Sequence, residues 1–403
     1  MSRTAALLLA LLCVVSAPAL STPLHAAPSP AGTAASVDGP NETDGPTIHT
    51  TNTTARLALV DVASEGRDGT VVDVGTSVEF ETDRIGERHR EVTFETRLDE
   101  ADSADERGTI IEDELDRIED RRSALVERER TAYRSYANGE IDERDLLRDL
   151  GRVHAEASQL EGSLSTVERE AIGEHGDRAW QLRIEVSKFQ GPVREAIVDA
   201  TAGERDPVQI HVQAGQDGLV LSMIDGNTFH RESYRPDQRD RVDAQGQALD
   251  QQAAIERHYP WVAANRGSDN THGMETYAGL WRGIVSHPHG ELTTFLDTGT
   301  ESPFREFQSL QLDALPTEEA ANETVGDLTF RIDRTYPAGP ALVTLTEGDT
   351  APHPTFVFVD DEAVVGTNVE GEAWFVAPGD TVYVVSVTVD DVEFVADVIQ
   401  DEE

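Results

Sequence analysis

The stretch from Ser103 to Gly173 constrains this chain more than any other, because two apolar heptad repeats lie back to back in it. In the second repeat, Leu146, Leu150, Val153, Ala157, Leu160, Leu164 and Val167 alternate steps of four and three, the spacing that keeps one stripe of a helix apolar. The first repeat runs through Ile111, Leu115, Ile118, Arg122, Leu125, Glu129, Ala132 and Tyr136, with Arg122 and Glu129 as polar interruptions. Ser103 and Glu106 have capping-box spacing, Asn138-Gly139 suits a left-handed helix stop, and Asp142 is an N-cap candidate whose neighbours Ile141 and Leu146 form a hydrophobic staple. Together these signals predict two antiparallel helices with a tip at Ala137 to Ile141.

Pairing Ala132 with Leu146 sets Leu125 against Val153, Ile118 against Leu160 and Ile111 against Val167. Arg122 falls opposite Ala157, where its stem crosses the seam and its guanidinium reaches water. Each arm spans roughly 45 Å at 1.5 Å per residue. Tyr133 and Tyr136 lie within two turns of the tip and, with Ile141, are candidates for contact with a partner; packing of a ring on Ile141 is the alternative.

Charge narrows the partners. The 77 acidic residues outnumber 33 basic ones, for a formal charge of -44, and Lys188 is the sole lysine. Nucleic acid and anionic membrane surfaces would both repel such a chain. The acid is spread along the whole length, as in proteins that stay hydrated when salt screens charge repulsion, so structure is expected to depend on salt.

Arg3, the apolar run Ala5 to Val15 and Ala17-Pro18-Ala19 make a signal segment over 1–26, with cleavage also possible after Ala26. The expected location is extracellular or on the cell surface, with an uncleaved signal anchor as the alternative. Cys13 is the only cysteine and lies inside this segment, so a mature chain would hold no thiol for disulfides, nucleophiles or metal.

Residues 27–54 are rich in Pro, Gly, Ser and Thr and read as a disordered tether. Asn41 and Asn52 in this segment, and Asn322 farther on, begin N-glycosylation sequons. Residues 55–176 hold short strands, around Leu57 and Leu59 and over Ser77 to Thr82, plus the hairpin.

Residues 177–324 read as an α+β domain on an antiparallel sheet. Its expected elements are a strand through Trp180, Leu182, Ile184 and Val186, then a helix from Pro192 to about Ala200. A strand over Val208 to Val212 and a hairpin turning at Asp225-Gly226-Asn227 follow. A polar helix over Arg239 to His258 and strands at Leu292 to Leu296 and Phe304 to Leu310 complete it. Residues 325–403 carry seven short alternating segments separated by Gly, Pro and paired Asp, a β-sandwich pattern. The fold class is therefore multidomain α+β: a long antiparallel helical hairpin, a mixed α+β domain and a terminal β-sandwich.

Signals for chemistry are sparse. His287-Pro288-His289-Gly290-Glu291 places three potential zinc ligands on one side of an extended segment, and a turn explains the same residues. Asp360-Asp361 and Asp390-Asp391 are hard-cation candidates for Ca²⁺ or simple hairpin turns. Neither a Gly-x-Ser-x-Gly elbow nor a phosphate loop occurs. Trp180, Tyr259, Trp261, Tyr277 and Trp281 suit a ligand pocket or scarce core anchors.

The run Phe356 to Pro378, with Val364-Val365-Gly366-Thr367, Gly371 and Phe375, resembles the prealbumin-like modules of carboxypeptidase regulatory domains. That resemblance implies a structural or adhesive β-sandwich. The signal segment, the tether, the hairpin run Ala124 to Ile141 and Gly290-Glu291-Leu292-Thr293-Thr294 together resemble a family of exported haloarchaeal proteins of unknown function. The leading expectation is a non-enzymatic surface protein that contacts an envelope protein or glycan. Its alternative is a metal-dependent hydrolase or small-ligand-binding protein using the middle domain.

Overall fold

In the computed structural model, residues 46–171, 173–240, 249–267, 271–276 and 279–400 are described. The signal segment and Asn41 lie outside them. A short ribbon of β1 (Thr47–Ile48) and β2 (Arg56–Leu57) comes first, followed by β3 (Ser64–Gly69). Thr53 and Thr54 are buried in this folded lead-in, so the last residues assigned to a tether are structured.

Five helices follow: α1 (Val74–Glu100), α2 (Ala104–Ala137), α3 (Glu143–Glu170), α4 (Glu174–Ser187) and α5 (Pro192–Ala202). The capping signals act as expected, with Ser103 Oγ accepting from the Glu106 N–H at 3.1 Å and Asp142 Oδ1 from the Asp145 N–H at 2.9 Å. The seam residues Leu115, Ile118, Leu125, Val153, Ala157, Leu160, Leu164 and Val167 are all fully buried in one core. The heptads thus bury the stripe that their spacing defines.

Two expected strands are helices. Ser77 to Thr82 lies in α1, which Asp73 caps by accepting from the Gly75 and Thr76 N–H groups. The buried face of α1 is only Thr76, Glu87, Phe94 and Leu98, too thin and polar to display a helical period. Glu87 is instead held by Arg117 at 2.9 Å, by Arg121 and by Ser163 Oγ at 2.8 Å. The residues Trp180 to Val186 lie in α4, which touches two cores. Ala179, Leu182 and Val186 join the hairpin core, while Ile184 joins the core against the sheet. A helix apolar on two sides imitates the alternation of a strand.

The next elements are β4 (Gln209–Gly215), β5 (Gly218–Asp225), β6 (Thr228–Tyr234), α6 (Gln251–His258), α7 (Pro260–Asn265), β7 (Thr271–Thr276), β8 (Leu280–His287), β9 (Gly290–Asp297) and β10 (Ser302–Gln311). They form an antiparallel sheet of eight strands in the order β3-β4-β5-β6-β10-β9-β8-β7. The helical layer packs on one face through Tyr133, Leu147, Ile197, Val212, Leu221 and Phe295 among others. On the other face lie Ala55, beside β2, and the short helices α6 and α7 around Tyr259 and Trp281, which are fully buried core anchors. The helix expected over Arg239 to His258 is described only as α6.

The chain ends in a sandwich of two antiparallel sheets. It comprises β11 (Glu318–Val325), β12 (Leu328–Arg334), β13 (Pro340–Glu347), β14 (Phe356–Val359), β15 (Glu362–Gly366), β16 (Glu372–Val376), β17 (Val382–Val389) and β18 (Val392–Ile399), ordered β11-β12-β13-β16 and β15-β14-β17-β18. The module begins with β11, a few residues before the expected boundary at 325. That edge strand shows mostly exposed Glu, Asn and Thr, so nothing apolar announces it. The fold class expected from the sequence, a helical region, a mixed α+β middle and a terminal β-sandwich, is the one observed.

Candidate functional site

A cleft of about 420 Å³ opens where the edge of the large sheet meets the terminal sandwich. Arg67 and His211 come from β3 and β4, Ile224 from the end of β5, Arg205 from the loop after α5, and Trp374 and Val365 from the sandwich. Alternation along β3 sends Glu65 and Arg67 to the same side. Arg67 Nη2 donates to the Val376 carbonyl at 3.3 Å, and Arg205 pairs with Asp225 at 2.7 Å.

Glu65 ties the parts together. Its carboxylate is 2.8 Å from His211 Nε2, accepts from Gln213 Nε2 at 3.0 Å and accepts from the Gly379 N–H of the sandwich at 2.6 Å. Burial pushes the Glu65 pKa up, but the His211 contact, Gln213 and the Gly379 amide outweigh it and hold the carboxyl below its usual range. Asp206 and Asp225 line the cleft with Arg67 and Arg205, so two carboxylates balance two guanidiniums beside the Trp374 indole. His211 is committed to Glu65, and no hydroxyl nucleophile lies among the residues lining the cleft.

A second constellation fills the interface of helices and sheet. Glu129, one of the two polar interruptions of the heptad, is fully buried and meets Arg194 of α5 and Arg305 of β10 at 2.6 Å each. Arg194 also meets Glu232 of β6 at 3.1 Å, and Glu232 accepts the Val193 and Arg194 N–H groups that open α5. A Cβ at Gly191 would stand 2.2 Å from the Glu232 carboxyl, so glycine is required there. Burial pushes the Glu129 carboxyl up, and Arg305 with Arg194 pulls it below the ordinary range; for Glu232 burial prevails and the pKa is raised. Arg122, the other interruption, is half-buried and pairs with Glu119 at 3.7 Å. It also adds its charge to a cluster in which Glu185 meets Lys188 at 2.6 Å and Arg239 at 3.4 Å.

The sheet's opposite face has its own buried acid, Glu306. It pairs with Arg231 at 3.1 Å and accepts from the Tyr259 hydroxyl at 2.8 Å and the Leu57 N–H at 3.0 Å. These groups are consumed by structure. Only the misfit of Glu129 in its heptad signals them in the sequence.

The sequence-derived sites are distributed otherwise. His287 closes β8 and His289 sits in the turn before β9, where its ring stacks on Trp261 at 4.4 Å and its Nδ1 lies 3.2 Å from Thr53 Oγ1. His287 meets the same indole edge-on at 5.6 Å, and burial with the neighbouring His289 lowers its pKa to about 4. Glu291 is exposed on β9. Among the described residues no group of three His, Cys, Asp or Glu side chains could hold a metal ion. The expected trio is therefore not gathered for that purpose, because the imidazoles pack on an aromatic ring.

Tyr133 and Tyr136 are buried rather than displayed. Tyr133 packs edge-on against Tyr234 at 6.2 Å, Tyr136 donates to Glu143 at 3.0 Å, and Ile141 rests on the same core. The hairpin tip lies on the sheet, which removes both rings from the surface. Asp360 and Asp361, both with positive φ, form the turn between β14 and β15, and Asp390 the turn between β17 and β18. Asn52 and Asn322 are exposed, Asn52 with φ of 59° and Asn322 on β11.

Three family models match the chain: "Domain of unknown function (DUF7096)" over residues 1–206, "Family of unknown function (DUF7094)" over 210–316 and "Archaeal fibronectin-III type-like domain" over 319–396. The terminal sandwich is thus similar to an archaeal fibronectin-III module, which replaces the prealbumin-like resemblance. Both are small β-sandwiches with permissive motifs, so the segments quoted from Phe356 to Pro378 did not separate them. No curated protein and no solved structure matches the chain. With half of its 403 residues covered by the first of these models, the chain belongs to the family described as a domain of unknown function, DUF7096.

Proposed function

We propose that this is a non-enzymatic structural and interaction protein of an archaeal cell surface, exported by its amino-terminal signal segment and working by contact with envelope protein or glycan. The observation that carries this reading is the terminal fibronectin-III-like module and the way it is fastened. The module packs through Tyr336, Trp374 and Val376 onto Phe229, Leu310 and Leu312, and Gly379 is bound to Glu65. An adhesive type of module packed onto the large sheet is suited to presentation. The buried acids and bases are matched against one another, and that supports scaffolding over catalysis.

Exposure of Asn52 and Asn322 supports modification of their sequons on an exported chain. Of the alternative readings, ligand binding has one supporting observation, the arginine-bearing cleft beside Trp374.

The test is expression of the tagged full chain in a haloarchaeal host, with protease treatment of intact cells at native salt. Digestion of the tag and recovery in the envelope or medium are expected, with envelope components co-purifying in pull-down. A protected, cytosolic protein would overturn the reading.

A further inference from the structure

The outward face of α1 carries an apolar row that nothing covers among the described residues. Val74, Val78, Ile85 and Val92 are 71%, 59%, 68% and 51% exposed. At 100° per residue they fall within a narrow stripe, opposite the face through which Thr76, Glu87, Phe94 and Leu98 are buried. Val78, Ile85 and Val92 are spaced by seven residues, a seam position repeated. In a chain this acidic, four large aliphatic groups aligned on the solvent side of one helix demand a partner surface.

The stripe complements itself. Laid antiparallel on a second copy with Ile85 on the two-fold axis, Val78 meets the partner's Val92, Val74 meets the partner's Thr96, and Ile85 meets its own counterpart. Rotation about that axis keeps each flank on its own side. On one flank Glu81 therefore faces the partner's Arg88 twice over, and on the other Thr82 faces the partner's His89. No like charges oppose one another along the seam. Within one copy Glu81 pairs with Arg84, and the exposed Arg88 with the half-buried Glu91 at 3.1 Å; the outer partners Glu81 and Arg88 reach solvent and exchange at little cost.

We propose that α1 is an interface between two copies of this chain, paired antiparallel about Ile85. The contact is isologous, so it closes as a dimer and leaves both terminal modules free to engage other partners. Salt at the level expected for so acidic a chain screens the repulsion between copies and leaves the apolar seam intact. The dimer does not depend on the cell-surface reading and is tested on the purified protein.

The experiment is light scattering and oxidative cross-linking of the full chain at molar salt, with Cys13→Ser as background. Twice the monomer mass is expected, and Ile85→Cys should form a disulfide dimer. Val78→Cys alone should not, because an antiparallel pair separates the two thiols by about 21 Å along the helix axis at 1.5 Å per residue. A mixture of the Val78→Cys and Val92→Cys variants should cross-link. Ile85→Glu, at an exposed position, should weaken the dimer at least tenfold while keeping its circular dichroism. A monomer at molar salt, a self-cross-link through Val78→Cys, or a dimer indifferent to Ile85→Glu would each overturn the proposal.

Discussion

The carboxylate of Glu129 and the guanidinium of Arg305 meet at 2.6 Å with both side chains essentially withdrawn from water, although 176 residues separate them in sequence. The contact bolts the hairpin to the middle of the sheet, and it explains why a heptad tolerates an acid at a seam position. Arg305 also donates to the Lys188 carbonyl at 2.5 Å and lies over Tyr234 at 3.9 Å, so its place is fixed from three sides. Glu129→Gln keeps the shape and removes the charge, leaving Arg305 without its acid and Arg194 with Glu232 alone. The expected loss is about 3–5 kcal/mol, the range for breaking one partner of a buried pair. Arg178→Ala breaks contacts to Glu112, Asp116 and Glu119 on the exposed side and should cost under about 1 kcal/mol. Denaturant unfolding at molar salt compares them, and equal losses would contradict the structural role given to Glu129.

Leu160 sits in the hairpin core with no exposure. Its truncation to Ala removes a side chain from a packed seam and should cost about 2–5 kcal/mol. A loss well under 1 kcal/mol on the same denaturation curve would mean that the two long helices are not packed through this stripe.

Lys188 is the chain's single lysine and is buried against Glu185, so it is a natural reporter of unfolding. Burial pulls its pKa down to about 7, against the pull of Glu185, so in the folded protein it is enclosure and not charge that shields the amine. An amine reagent at molar salt should modify the amino terminus and spare Lys188. After transfer to millimolar salt, peptide mass spectrometry should find Lys188 modified, as the acidic surface loses its screening. Protection that persists without salt would refute the salt dependence.

Acid should weaken the hold of α1 on the helical hairpin. Burial acts to raise the pKa of Glu87, but Arg121, Ser163, Arg117 and Arg90 overcome it and bring it to about 2. A depressed carboxyl stabilises the fold above its unfolded value of 4.5 and loses that contribution as pH falls toward 2. Melting temperature should therefore fall between those limits, and Glu87→Gln should flatten the fall. An unchanged profile in the variant would remove Glu87 as its cause.

Glu65 makes the same kind of prediction for the terminal module. With its carboxyl held below the usual range, the bond to Gly379 persists through neutral pH and weakens only as pH drops below 4.5. Glu65→Ala should raise hydrogen exchange around Gly379 and Thr381 severalfold while the cores of β13 and β17 keep their protection. Uniform exchange across the module would mean that the contact does not fasten it.

The sequence was most legible where a period and its caps coincided. The hairpin, its turn at Asn138-Gly139, the β5–β6 hairpin and the sandwich all announced themselves through spacing. Helix α1 did not, because its buried face is made of Thr76, Glu87, Phe94 and Leu98, with charge pairing replacing apolar contacts. Helix α4 misled because it is wedged between two cores. The cleft was invisible, since Arg67, Arg205 and Trp374 come from three separated segments that only the tertiary fold brings together. His287 and His289 were legible as neighbours, but the Trp261 ring between them and a different use was not.

The pairing of β3 with β4 sets Ser64 beside Ala214, across a family boundary that falls between residues 206 and 210. Those two matched regions are therefore halves of one folding unit, and a gene cut between them would yield an amino-terminal half with a stranded β3 and a second half with a raw β4 edge. During synthesis the consequence is a delay. The helices come first along the chain, yet Glu129 has no Arg305, and Tyr133 no complete sheet, until β10 has been made. For that interval the abundant carboxylates on α1, α2 and α3 have a second task, keeping an unfinished layer dispersed while its other half is still being made.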